Sequence, residues 1–376
     1  MGRERERVEH DPAARRGGVS TQTGHQLNDA VSVLWRSAQT VQFELGSRRI
    51  VIDNVRSDQL AVLLPRRGGP GWSPVNGPAG DQPPGAAGLR DLLLGEGFLV
   101  RTSADPDGAT FGRSAASRLS GDRIALTARF GESAGSVLSA RRRAAIAVHG
   151  TSRLAPVIAA TLAAGGVGRV QLVHGGEVAA ADSCPGGLTP ADEGRRFAAA
   201  AADAVRRAAP DADTAPIPRD RSADLIILTD PAPVDPAVCA SMHLDGLAHL
   251  ACAVRGGHAV IGPLVIPGIT SCLRCADLHR ADRDPAWPAL AVQLGRTPAH
   301  RVPSDVALCV ATAGIAATQA LEYLDRERPT TIDATLEWQL PDWRLRRRSW
   351  PVHHSCECGA AARVTRARHN GTVIPR

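Results

Sequence analysis

The 376-residue chain contains no lysine at all; its 44 basic residues are all arginine. Any chemistry that depends on a lysine, whether as a Schiff-base amine or as a phosphate-binding ammonium, is therefore closed to it. Aromatic residues make up only 3% against 43% hydrophobic residues overall, so the cores must be built from Ala, Val and Leu. The net charge is +6, with arginine runs at residues 141–143 and 346–348. Few aromatics interleave with those arginines and no nucleic-acid motif accompanies them, so they read as solvated faces. No apolar segment follows the opening MGRERER, and no signal peptide is expected. The longest apolar stretch, residues 306–321, is interrupted by Thr312, Gly314 and Gln319 and is too short to span a bilayer. These absences predict a cytoplasmic chain of about two domains that binds neither membrane nor nucleic acid. Eight cysteines in a reducing compartment point to metal ligands or buried thiols rather than disulfides.

What is present is organised around residues 146–176, IAVHGTSRLAPVIAATLAAGGVGRVQLVHGG. Residues 146–148 read as a strand, Gly150 as a turn, residues 154–164 as an apolar helix, Gly165 and Gly166 as its stop, and residues 170–173 as a second strand. That is a βαβ unit, whose first turn usually meets phosphate on the helix amides. The turn departs from Gly-x-Gly-x-x-Gly: only Gly150 is kept, and Ser152 and Ala155 stand at the other two glycine positions. His174 stands where a ribose-binding acidic residue is expected. Pro156 either deletes the first intrahelical hydrogen bond, if Ser152 is the cap, or marks a later helix start that pulls the amides back.

Before this unit, residues 1–28 are charged and aperiodic and are expected to be disordered. A small domain follows over residues 29–101. Its strands are expected at 40–45 and 48–52 around Gly46-Ser47, a helix capped by Ser57 through about Leu64, a helix at 89–94, and an edge strand at 98–101. A long Pro/Gly-rich loop at 65–88 lies inside it. This layout resembles a degenerate winged helix, the peptide-recognition element of ribosomal-peptide biosynthesis proteins; a small docking domain without a peptide ligand fits the same pattern. A linker at 102–121 leads into an α/β domain over residues 122–362, closed by a basic tail at 363–376. Within that domain a strand is expected at 124–130, a helix to Arg143, a loop at 181–190 and helices at 194–209 and 236–254. Strands are expected at 224–229, ending at Asp230, and at 258–261.

Two close cysteine pairs carry the clearest chemistry. Cys272 and Cys275 follow a Pro-Gly turn, and Cys356 and Cys358 follow an aromatic, strand-like stretch at 336–350. Four thiolates suit a tetrahedral zinc with no open position, hence a structural site, with His353 or His354 in reserve. Cys184, Cys239, Cys252 and Cys309 are isolated and read as inert thiols. Asp277, His279, Asp282, Arg283 and Asp284 could serve acid–base work, but read more simply as a charged crossover loop.

The damaged glycine turn, the strand ending in Asp230, the segment GPLVIPGITSCLRCADLHRADRDPAWPAL, an Ala-rich helix and the terminal cysteine pair together resemble the ThiF/MoeB family of the ubiquitin-activating superfamily. More narrowly they resemble actinobacterial ThiF-like proteins found beside bacteriocin cyclodehydratases. The resemblance implies a Rossmann-like α/β fold with a parallel sheet and structural zinc. Active members of the family adenylate a protein C-terminus with ATP and Mg²⁺. By position Gly150 matches the first glycine, Asp230 the metal-binding Asp, and Arg195 or Arg196 the phosphate Arg; the lysine and the ribose acid are missing. The expectation is a vestigial nucleotide site (Gly150, Ser152, Arg195, Asp230) in a protein that presents a peptide or small carrier protein to a modifying enzyme, with homodimerisation as the family's habit. The alternative is an ATP-dependent adenylyltransferase for a ubiquitin-like or sulfur-carrier protein.

Overall fold

The computed structural model describes residues 25–63, 84–101, 111–230, 233–296 and 304–360. Expectations for residues 1–24, most of the 65–88 loop, residues 102–110 and the basic tail fall outside them. The chain divides into two units, Met1–Ser139 and Ala140–Arg376.

In the first unit β1 (His25–Leu27) pairs antiparallel with β5 (Leu99–Arg101). Ordered structure thus begins before residue 28. A separate antiparallel sheet has the order β2 (Ser32–Trp35), β3 (Val41–Leu45), β4 (Arg48–Ile52). Gly46, at φ 61°, makes the tight turn that sets Leu45 opposite Arg48. Helices α1 (Ser57–Leu63) and α2 (Ala86–Gly95) complete this part. Phe43, Ile52, Val55, Leu60, Leu89, Leu93 and Phe98 form its core, with Phe43 and Phe98 edge to face at 6.1 Å. Ser57 is the first helical residue of α1 rather than its cap; the side chain of Gln59 reaches back to the Arg56 amide instead. β2 went unread because it is short and largely exposed, without alternation.

Residues 111–139 are helical where a linker and a strand were expected: α3 (Arg113–Arg118), α4 (Ser120–Phe130) and the start of α5 (Ala134–Arg143). The apolar run at 124–130 follows the helical period once its neighbour is included. Leu119, Leu126 and Phe130 fall on one face and pack with Val137 and Leu138.

The second unit is built on a seven-stranded sheet. Strands β7 (Arg169–Val173), β6 (Ala145–His149), β8 (Leu225–Leu228) and β9 (His249–Arg255) run parallel. Strands β10 (His258–Val265), β11 (Ala334–Gln339) and β12 (Arg346–Ser349) extend it antiparallel, giving the order β12-β11-β10-β9-β8-β6-β7. Helices α6 (Leu154–Ala164), α7 (Phe197–Ala208) and the long α11 (Val306–Leu324) join the sheet in a single core of Ala, Val, Leu and Ile. α11 has the length and hydropathy of a membrane span, but Leu308, Thr312, Ala313, Ala316 and Ala320 are buried in this core. A buried bidentate pair, Arg141 to Asp325 at 2.6 and 2.8 Å, fixes the end of α5 to the end of α11; Arg141 also donates to the Gly165 carbonyl.

The expected 236–254 helix is two elements. Helix α8 (Pro236–Leu244), capped by the Asp235 carboxylate, stops at Gly246 with φ 67°, and β9 follows. Residues 249–254 are buried on both faces, which is why they lack the alternation of a half-exposed strand. β10 carries a bulge between Ile261 and Leu264; at Gly262, φ 99°, a Cβ would lie 2.5 Å from the Ala334 carbonyl. The charged segment after the first cysteine pair is helix, α9 (Leu273–Arg283), followed by α10 (Trp287–Gly295).

Candidate functional site

The four predicted cysteines come together. Cys272 caps α9 and Cys275 lies in its first turn, while Cys356 and Cys358 lie on the turns after β12. Their sulfurs are 3.6–3.7 Å apart across the Cys272–Cys275, Cys272–Cys356 and Cys275–Cys358 edges, and all four residues are buried. Four sulfurs about 2.3 Å from a tetrahedral ion such as zinc stand ~3.8 Å from one another. The cluster could hold such an ion with little movement. The Cys272 thiol donates to Cys275 and, with the His353 amide, holds the Cys275 thiol well below its ordinary range, whereas burial pushes Cys356 up.

His353 and His354 are not needed as ligands. The His353 Nδ1 accepts from the Ser355 amide at 3.1 Å, so its proton sits on Nε2 and is donated to Asp282 Oδ2 at 2.9 Å. His354 stacks on His353 with ring centroids 4.4 Å apart. His279, Asp282 and His353 place donor atoms within 4.8 Å of one another. The lone pair of His353 is turned to Ser355, however, and His279 Nε2 donates to the Pro351 carbonyl. These three side chains brace the turn that carries Cys356 and Cys358, as outer-shell partners do at metal sites. Asp277 is likewise structural, accepting from Arg280 and from Trp287 Nε1. Arg280 in turn lies between the rings of Trp287 and Trp350, 5.2 and 4.7 Å from their centroids.

The second predicted site lies at the C-terminal ends of β6, β7 and β8. Gly150 has φ 125°, and a Cβ there would stand 2.4 Å from Thr229 Oγ1 and 2.8 Å from Asp230 Oδ1. Glycine is required because two strand ends meet at this point, whatever else the turn binds. Asp230 Oδ1 accepts from the Thr151 amide at 2.7 Å and from Thr151 Oγ1 at 3.2 Å. The carboxylate at the end of β8 thus occupies an amide of the turn after β6 that a phosphate oxygen would use. α6 begins at Leu154, so Pro156 falls within its first turn, where the missing N–H has no intrahelical partner to lose. That differs from both arrangements foreseen for it. The Ser152 hydroxyl is buried without a hydrogen-bond partner among the described residues. Arg153 donates to the carbonyls of Ala181 and Ser304, tying two loops to the start of α6.

Arg195 does not join this group; it is ion-paired with Asp192 and Asp203. His174 packs edge-on against Phe197 at 4.7 Å. Burial lowers its pKa despite the opposing charges of Asp230 and Asp182, and burial lowers that of His149 against Asp230. Two neutral imidazoles therefore accompany Asp230 at neutral pH. Thr151, Arg153 and His149 carried no motif signal; their roles come from loops that meet only in the fold.

No family model matches the sequence, and no curated protein does. Solved structures do. E. coli MccB bound to MccA-N7isoASN superposes with a TM-score of 0.64 at 12% identity, covering 89% of this chain and 99% of that one. The chain shares its fold with MccB. MccB with ATP gives a TM-score of 0.63 at 13% identity over 89% of this chain and 99% of that one. Selenomethionine-labelled PaaA gives 0.63 at 14% identity over 86% of this chain and 99% of that one. MccB is described as the microcin C7 biosynthetic enzyme and has been crystallised with N-formylated MccA.

Proposed function

We propose that the chain is a ThiF-like scaffold that captures a peptide and presents it to a separate modifying enzyme, without adenylating the peptide itself. The observation that carries the second half is the Asp230–Thr151 contact at 2.7 Å. In an active site of this class, the turn amides and a strand-end carboxylate would serve phosphate and Mg²⁺ respectively. Here they satisfy each other, Arg195 is committed to two aspartates, and no lysine exists. The residues present do not suit ATP·Mg²⁺. Zinc on Cys272, Cys275, Cys356 and Cys358 is structural in this reading, supplying a cross-link between α9 and the C-terminal segment.

The peptide half rests on a fold shared with a protein crystallised with a peptide, and on the outer strands of the three-stranded sheet among the described residues of the first unit. In that sheet β3 is the central strand, and β2 and β4 are its outer strands. We assign the peptide to β4 within a winged-helix-like recognition domain at 29–101, adding as an antiparallel strand through backbone hydrogen bonds. Mass spectrometry of material co-purifying with the tagged protein identifies the peptide. Deleting residues 1–100 should abolish its capture while the cysteine cluster still binds metal; unchanged capture would contradict the assignment. The competing reading is an adenylyltransferase, and ATP–pyrophosphate exchange with the captured peptide separates the two.

A further inference from the structure

A second surface lies at the other end of the sheet from the Gly150 turn. A groove of about 1400 Å³ runs between the starts of β6 and β8, the segment after α11 and the end of β12. It is larger than the roughly 300–1,000 Å³ typical of small-ligand pockets. Its apolar lining includes Ile266, Leu324, Ile332 and Val352, and Ile269 stands half exposed beside it.

The charges around this lining are unbalanced. Five arginines face three acidic residues. Arg221 is paired with Asp224, Arg328 with Asp333, and Arg347 donates to the Thr330 and Ile332 carbonyls. Arg143 and Arg326 make no side-chain hydrogen bond or ion pair among the described residues. The same lining holds Tyr323, the chain's single tyrosine, half buried and with its hydroxyl also unpartnered among the described residues. Burial and the nearby Asp224 push its phenol up, so it remains a donor.

Two free guanidinium groups and a free phenol over an apolar floor are a donor set for carboxylates spaced along a chain that also carries aliphatic side chains. A nucleic-acid backbone fits poorly, since Asp224, Glu327 and Asp333 would repel a continuous row of phosphates and the net excess is only two charges. We propose that this groove docks an acidic, aliphatic-containing peptide segment of a partner protein, with Arg143, Arg326 and Tyr323 taking its carboxylates. The proposal does not depend on peptide capture by the first unit.

The test uses the full chain and fluorescence anisotropy of a short fluorescein-labelled peptide of Asp, Glu and Leu, against the same peptide with Lys at each acidic position. The acidic peptide should bind and the basic one should not. Arg143→Ala/Arg326→Ala should weaken binding by about tenfold or more, because each lost charge-assisted contact is among the stronger hydrogen bonds. Tyr323→Phe, which removes one oxygen and cannot unfold the core, should weaken it severalfold. Arg206→Ala, outside the groove, should leave it unchanged. Metal content and circular dichroism verify that each variant is folded. Affinity unchanged in both groove variants would overturn the proposal. So would equal binding of the basic peptide, full competition by a short DNA duplex, or failure to bind because a second copy or the chain's own segment protects the groove from hydrogen exchange.

Discussion

Replacing Cys275 by serine tests the metal centre most severely. Cys275 is fully buried and has Cys272 and Cys358 both at 3.7 Å, so no ligand can swing in from solvent to replace it. Structural zinc contributes about 10–16 kcal/mol of apparent free energy, so an even quarter share per ligand is ~2.5–4 kcal/mol. The new hydroxyl, smaller and without a metal, adds the roughly 1–3 kcal/mol cost of a buried unsatisfied polar group. The sum, ~3.5–7 kcal/mol, is a large part of the 5–15 kcal/mol that typically separates folded from unfolded chains. Cys252→Ser is the control: Cys252 is equally buried, in the central strand β9, but belongs to no cluster. It should lose only the polar-burial part, about 1–3 kcal/mol. Urea unfolding of both variants, with elemental analysis of the parent protein, reads the difference. Equal destabilisation by the two substitutions, or no metal in protein purified without chelators, would refute the reasoning.

Three further outcomes follow from the same geometry. Asp282→Asn weakens the brace on His353 while keeping its shape, and should lower metal affinity about 10–100-fold in a chelator competition, with Cys coordination retained. Arg141→Ala strands the Asp325 carboxylate, whose side chain is 0% exposed, and should cost about 3–5 kcal/mol in urea unfolding; Arg141→Met with Asp325→Leu should recover most of that. The pKa values of His149, His174 and His249 are all lowered chiefly by burial, so the unfolded chain takes up protons first as pH falls. Their contribution is therefore whole above about pH 6.5 and declines below it until the lowered folded values are passed. Urea midpoints at pH 7.5, 6.5 and 5.5, with metal content followed in parallel, should fall in that order, and His249→Asn should flatten the slope.

Much of this architecture was legible in local patterns. The apolar run at 154–164 between Gly150 and Gly165 became α6 with the same bounds, and residues 225–228 became a buried parallel strand. The two cysteine pairs met because each is short-range and their chemistry is shared. Errors arose where a run of apolar residues had no period to read. Residues 249–254, buried on both faces, read locally as a continuation of α8 although Gly246 marks its end, and residues 124–130 read as a strand although Leu119 completes a helical face. The charged run after Cys275 reads as a loop by composition; its i,i+3 pair Asp277–Arg280 and the absence of Gly and Pro from 269–284 are helical signals. The site's decisive contacts were out of reach. Asp230 to Thr151, His353 to Asp282 and Arg195 to Asp203 join residues that only the folded chain sets side by side.

We propose that Asp230, just past the end of β8, closes the turn after β6 to nucleotide. Calorimetric titration of the unaltered protein with ATP and Mg²⁺ tests it directly. The expected result is affinity weaker than about 1 mM, no more than ~4 kcal/mol of binding, and no pyrophosphate exchange. Micromolar, Mg²⁺-dependent ATP binding that is lost in Asp230→Ala would contradict it and make this protein an adenylyltransferase.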